Sequence, residues 1–114
     1  MELPKSFSKV EATVADALIS SGIYRFAGED EASPRLSGDF FIWLFSGALG
    51  ERPVYRIENV IFPDPASIRG RACDCHFEFV ACTFMGELDL RHVRVRQFDF
   101  SRSVFKAPVR LNGA

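Results

Sequence analysis

Apolar residues recur in pairs along the second half of the chain, and this repeat constrains the fold more than any other feature. The two members of a pair lie two positions apart, and the pairs recur every five residues with one step of six. They are Phe77 and Phe79, Cys82 and Phe84, Leu88 and Leu90, Val93 and Val95, Phe98 and Phe100, and Ser103 and Phe105. Residues two apart on a strand share a face. Each pair therefore predicts a short strand with a corner after it.

A longer period lies above the five-residue one. A shift of 21 residues places Phe77 on Phe98 and Phe84 on Phe105, and a shift of 22 places Tyr55 on Phe77. Such a period predicts three stacked coils, at residues 55–76, 77–97 and 98–114, because one coil cannot bury its own apolar pairs. The expected core ladder comprises Phe77, Phe79, Phe84, Leu90, Phe98, Phe100, Phe105 and Leu111.

The stretches FEFVACTF, LDLRHVRV, FDFSRSVF and VRLNGA resemble the tandem units of the bacterial pentapeptide-repeat family, in its Phe- and Val-rich variant. The stretch GALGERPVYRIENVIF resembles the entry to the repeats in large members. The resemblance implies a mainly β fold, a right-handed quadrilateral β-solenoid of about three coils with a two-helix N-terminal cap. We therefore expect a helical cap at 1–53 and a solenoid at 54–114, forming one structural unit that is open at its C-terminal end.

The N-terminal part, residues 1–53, is here called the head. Ser8 and Glu11 fit a capping box at the start of one helix, and Gly22 fits its end. Residues 27–38 read as a polar loop, and a second helix is expected from Ser37 to Gly50. That helix is apolar almost all round. One face is expected to cover the first coil, and the other to pack on the first helix, on a partner or in a dimer. The candidate interface residues are Phe40, Phe41, Trp43 and Leu44.

The C-terminal end has no comparable cover, since the third coil stops about one side short at Ala114. An open sheet edge invites pairing with another chain. Two expectations follow: a longer solenoid of which this is a part, or a second chain that completes the edge. A protein partner or self-association, through the open coil or the second helix, is thus expected.

Charge is unevenly distributed, although the net charge is −1. Residues 1–53 hold 5 basic and 8 acidic side chains, whereas residues 54–114 hold 9 and 7. Within 91–110 only Asp99 is acidic, against the basic set Arg91, Arg94, Arg96, Arg102, Lys106 and Arg110. This set predicts either a solvated face or a surface for an anionic partner. Nucleic acid is not expected, because no aromatic side chains interleave on the outward positions for base stacking.

The stretch CDCHFEFVAC offers candidate zinc ligands: Cys73, Cys75, His76 and Cys82. The repeat favours another interpretation, because it makes Cys82 equivalent to Ser103 and Cys73 equivalent to Val95. These cysteines then act as small buried residues. The sequence contains no G-x-G-x-x-G or G-x-S-x-G motif. No cofactor, metal or catalytic residue is expected, and the chain is not predicted to be an enzyme.

These features favour a non-catalytic interaction or scaffold module, as part of a longer solenoid or as one subunit of an assembly. The resemblance implies an alternative, a modulator of DNA gyrase or topoisomerase; such relatives use a negative surface, whereas residues 91–110 are positive. The targeting end of a larger enzyme or effector is a second alternative. MELPKSFSK has no apolar signal core, and the apolar run from Phe40 to Phe45 is too short to span a bilayer. We expect a bacterial cytoplasmic protein.

Overall fold

The head begins with a helix whose ends follow from the sequence. The computed structural model describes residues 3–28, 32–50 and 52–113. Helix α1 runs from Lys9 to Ser21, with Ser8 as its N-cap. The Glu11 amide donates to Ser8 Oγ at 3.1 Å, and the Ser8 amide donates to Glu11 Oε1 at 2.9 Å. Gly22 ends the helix at φ 80°, a conformation that glycine adopts freely. The predicted capping box and stop are confirmed.

The rest of the head combines one strand and one short helix. Strand β1 covers Ile23–Arg25 directly after α1. Of the polar loop expected at 27–38, residues 29–31 lie outside the described part. Helix α2 covers Gly38–Leu44, and the Phe40 amide donates to Ser37 Oγ at 3.1 Å. The predicted start at Ser37 is confirmed, but the helix is shorter than predicted and continues as turns.

In the described part of the chain nine further strands follow, and all pair in parallel. They are β2 Val54–Glu58, β3 Ile61–Phe62, β4 Ala66–Ser67, β5 Ala72–Val80, β6 Thr83–Phe84, β7 Leu88–Asp89, β8 Arg94–Asp99, β9 Val104–Phe105 and β10 Val109–Arg110. The first sheet has the order β1-β2-β5-β8, the second β3-β6-β9 and the third β4-β7-β10. Successive strands of one sheet therefore come from successive passes of the chain.

The pairing register follows the 21- and 22-residue shifts. In the first sheet Tyr55 pairs with Phe77 and Phe77 with Phe98. In the second sheet the same shifts align Phe62, Phe84 and Phe105. The residue pairs predicted from the period are thus confirmed.

The predicted fold class, by contrast, is wrong. Strands make up about 34% of the described residues, and within these residues three small sheets of short strands combine with two helices into a compact globule rather than a mainly β, four-sided solenoid. One of the predicted corners fails, because strand β5 runs for nine residues through the corner expected near His76. The corner expected between Leu90 and Val93 is present as a turn, in which the Val93 amide donates to the Leu90 carbonyl at 3.3 Å.

The core is aromatic and is shared by the sheets and the head. Phe62 and Phe84 stack at 5.0 Å between ring centroids, and Phe79 and Phe100 at 5.6 Å. Phe41 of α2 meets the Phe62 ring edge-on at 5.4 Å. The Phe41 ring therefore reaches from α2 into the aromatic interior between the sheets, which is a second reason for the more compact fold.

The head covers one end of the sheets. Strand β1 pairs with β2, and the Ile61 amide of β3 donates to the Pro34 carbonyl at 2.8 Å. At Gly38, where α2 begins, a side-chain carbon would lie 2.7 Å from the Pro65 carbonyl oxygen, so glycine permits the close approach beside β4. The first strands of all three sheets are thus in contact with the head. No helix in the described ranges has the length and apolarity needed to cross a bilayer.

Candidate functional site

The opposite end of the sheets is the main candidate for a binding surface. Strands β8, β9 and β10 are each the last strand of a sheet, and along their outer side no strand of the described chain pairs with them. We call the surface formed by these strands and the residues between them, 94–111, the open edge. Val104 is 51% exposed, Phe105 38% and Leu111 57%. A row of unpaired backbone groups beside exposed apolar side chains favours the addition of another chain.

The predicted core ladder is buried at one end and emerges at this edge. Its members Phe77, Phe79, Phe84 and Leu90 are buried. Phe98 and Phe100 are only partly buried, although both pack against the core. Phe105 stacks on Phe84 at 5.1 Å between ring centroids, as the ladder predicts. Phe105 and Leu111 are nevertheless exposed, so their expected burial in the core is corrected: they lie on the surface of the open edge.

The six predicted basic residues divide into paired and unpaired ones. Arg91 bonds Asp89 at 2.7 Å, Arg96 lies 3.3 Å from Asp74, and Arg110 pairs with Glu87. Asp89 aligns with Arg110 in register, as the sequence predicts, but their side chains take these other partners. The hydrogen bond from Arg91 holds the pKa of Asp89 below its ordinary range.

The other three basic residues, Arg94, Arg102 and Lys106, are exposed. In the described part of the chain no carboxylate lies within 4.0 Å of any of the three. All three lie within the open edge. This surface is therefore apolar in part and carries unneutralised positive charge.

The candidate interface on the second helix lies mostly inside the chain. Phe40, Phe41 and Leu44 are buried, each no more than 1% exposed. Trp43 is partly buried and meets the Phe7 ring edge-on at 5.3 Å. These four residues therefore pack within the chain and do not form an interface with a partner. Intramolecular packing was one of the alternatives that the sequence left open for this helix.

The three cysteines do not converge with His76 into a zinc site. The sulfur atoms of Cys73 and Cys75 lie 2.6 Å apart, but Cys75 is buried on the core side with Phe77, whereas His76 lies beside Glu78. Cys82 is buried elsewhere, with its sulfur 3.5 Å from the Ile57 carbonyl oxygen. Burial raises the pKa of Cys82 to about 11; burial and the hydrogen bond with Cys73 raise that of Cys75 to about 12. All three are free thiols.

A second polar group lies on the outer face of the first sheet, and the sequence interpretation missed it. His76 and Glu78 lie two apart on β5, and Asp99 of β8 pairs with Glu78 in register. One ligand-type atom from each of the three lies within 4.8 Å of the others. The 21-residue shift already places Asp99 opposite Glu78, so the period contained the signal.

Comparisons with known proteins assign no family. No protein-family model, no curated protein and no solved structure matches the chain. Functional proposals for this chain therefore rest on its own residues.

Proposed function

We propose that the chain is a non-catalytic interaction module that binds a protein partner at the open edge. The single observation that carries the proposal is the exposure of Val104, Phe105 and Leu111 beside three strands with an unpaired side. Edge strands in natural proteins are commonly shortened, charged or covered. Here apolar side chains remain at the edge, as is typical of a surface that another chain covers.

Charge complementarity favours an acidic partner over a second copy of this chain. Arg94, Arg102 and Lys106 carry unneutralised positive charge at the open edge. Two copies meeting edge to edge would bring these charges together, whereas a partner with Asp and Glu around an apolar centre would neutralise them. A topoisomerase modulator that relies on a negative surface fits this edge less well. Three free thiols fit the reducing bacterial cytoplasm, where we place this module.

Photo-crosslinking from the edge tests the proposal. Benzoylphenylalanine replaces Phe105, and in a control protein it replaces Met85, which is also exposed but lies between β6 and β7. After irradiation of cells that express each protein, adducts are identified by mass spectrometry. We expect a discrete acidic protein attached at position 105 and absent at 85. Adducts with a second copy of this chain, or with the same proteins at both positions, would overturn the proposal.

Binding of the purified adduct partner then tests the chemistry. The double variant Arg94→Glu/Lys106→Glu should weaken binding at least about tenfold, and added salt should weaken wild-type binding, because opposite charges attract. Arg69→Glu/Arg71→Glu is the matched control: it reverses two exposed charges that lie outside the open edge. Equal losses in both double variants would show that net charge, and not this edge, determines binding.

A further inference from the structure

The His76 imidazole has a nitrogen that lacks a partner. Nε2 is enclosed, and it forms no hydrogen bond with any of the described residues. The nearest carboxylate oxygen, Glu78 Oε1, lies 3.9 Å away. A buried nitrogen without a partner costs free energy, so such atoms generally have a bound water or ion.

Two carboxylates lie close to this nitrogen. Glu78 and Asp99 stand directly opposite each other on β5 and β8, an arrangement of like charges that destabilises a sheet. Arg56 lies on the far side, 3.6 Å from Glu78 Oε2, which leaves Oε1 free. Asp99 receives the Ser101 amide and hydroxyl at Oδ1, at 3.1 and 2.6 Å, which leaves Oδ2 free.

One imidazole nitrogen and two carboxylate oxygens form a donor set that suits a divalent transition-metal ion. We propose that His76, Glu78 and Asp99 bind such an ion, with Zn²⁺ as the expected occupant. The three ligand atoms lie within 4.8 Å of one another. Zinc ligands lie about 2.0–2.2 Å from the metal, so small side-chain rotations would bring the atoms into contact with it. Three protein ligands leave one position for water.

The strand geometry explains why these three side chains meet. His76 and Glu78 share the outer face of β5 because they lie two apart, and parallel pairing sets Asp99 beside Glu78. The thiols of Cys73 and Cys75 are not part of the site. The proposal does not depend on the open edge or its partner.

Isothermal titration with Zn²⁺ tests the site, in parallel on the wild type and on Cys73→Ala/Cys75→Ala. We expect one Zn²⁺ per chain in both. His76→Gln and Asp99→Asn should each weaken the affinity at least about 100-fold, because each removes a direct ligand; loss of an outer hydrogen-bonding partner alone costs 10–100-fold. His92→Asn removes the other histidine, which has φ 59°, a conformation that asparagine tolerates, and should leave the affinity unchanged.

Three results would overturn the proposal: no binding by the wild type, undiminished binding by His76→Gln, or loss of binding in the double cysteine variant while it remains folded. Circular dichroism establishes that each variant is folded. If the cysteine variant fails to fold, Co²⁺ in the wild type decides the question. We expect a spectrum without the intense thiolate charge-transfer band, and a strong band would assign the metal to the cysteines instead.

Discussion

The two ends of the sheets use equivalent residues and yet have opposite environments. At the covered end, Phe62 of β3 is 2% exposed beneath the head, whereas its counterpart Phe105 of β9 is 38% exposed. The equivalent residues Ile68 and Leu111 differ in the same way, since Ile68 is 1% exposed and Leu111 57% exposed. The repeat assigns each pair the same position. The repeat does not encode the packing of the head against the sheets, and this packing decides which residue of each pair is buried.

Because the two ends differ in burial, we expect one to determine the stability of the fold and the other to determine binding to a partner. The covered end and the centre hold most of the core, whereas the exposed apolar and basic side chains of the open edge contribute little to folding. Removing a buried side chain from the first region should destabilise the fold strongly, whereas removing an exposed side chain from the open edge should mainly weaken binding to a partner.

The largest contrast is expected between two phenylalanines that stack on each other. Phe84 and Phe105 have ring centroids 5.1 Å apart. Phe84→Ala should lower the free energy of unfolding by about 3–5 kcal/mol, as for other buried phenylalanines. Phe105→Ala should lower it by no more than about 1–2 kcal/mol, because the ring is already partly in water. Urea denaturation measures both, and equal losses would contradict the comparison.

The second-largest effect on stability is expected at Glu11, whose carboxylate connects the two helices of the head. Glu11 is 4% exposed and accepts hydrogen bonds from the Ser37 amide and hydroxyl, both at 2.7 Å, and so joins α1 to the start of α2. Glu11→Gln should lower the free energy of unfolding by about 1–3 kcal/mol, because charged acceptors form the stronger bonds. Glu11→Ala, which removes the acceptors altogether, should cost at least as much.

The contribution of Glu11 should depend on pH. Burial alone raises its pKa, but hydrogen bonds from Ser8 and Ser37 outweigh this and lower the pKa below its ordinary value. A lowered folded-state pKa stabilises the protein above the unfolded-state pKa, and this stability is lost as pH falls through the folded-state value. The difference in unfolding free energy between wild type and Glu11→Gln should therefore be largest near pH 7 and shrink below about pH 4. A difference independent of pH would contradict this role.

The period made part of this structure predictable from sequence. Large aromatic residues at fixed spacing identify which residues pair, and Ser8, Glu11 and Gly22 mark the limits of α1. The fold class was not predictable in the same way. Whether β5 turns a corner near His76 depends on its neighbours, and the inward position of Phe41 depends on the space between the sheets. Nor did the pattern predict β1, a three-residue strand whose pairing with β2 depends on tertiary contacts.

The candidate sites, too, could be predicted only in part from the sequence. The register placed Asp99 opposite Glu78, but only side-chain positions reveal the unpartnered nitrogen of His76. The basic set follows from the sequence alone, whereas its division into paired and unpaired residues needed the positions of Asp74, Glu87 and Asp89.

The smallest effect on stability is expected at the exposed arginines. Arg94→Ala and Arg96→Ala should each change the free energy of unfolding by no more than about 0.5 kcal/mol, even though Arg96 lies 3.3 Å from Asp74, because exposed ion pairs contribute little. Thermal unfolding monitored by circular dichroism checks both. A loss above about 2 kcal/mol at either residue would show that the open edge belongs to the folding core.

Amide hydrogen exchange at three equivalent backbone positions tests the central contrast most directly. The amides of Ile61, Thr83 and Val104 occupy the same place in β3, β6 and β9 and donate hydrogen bonds of 2.8, 3.0 and 2.9 Å. Because these bonds are alike, local opening of the strand should decide the exchange rates. We expect slow exchange at Thr83 and Ile61 and exchange at least about tenfold faster at Val104. Equal protection at all three amides would show that the two ends are equally closed, and would contradict the account.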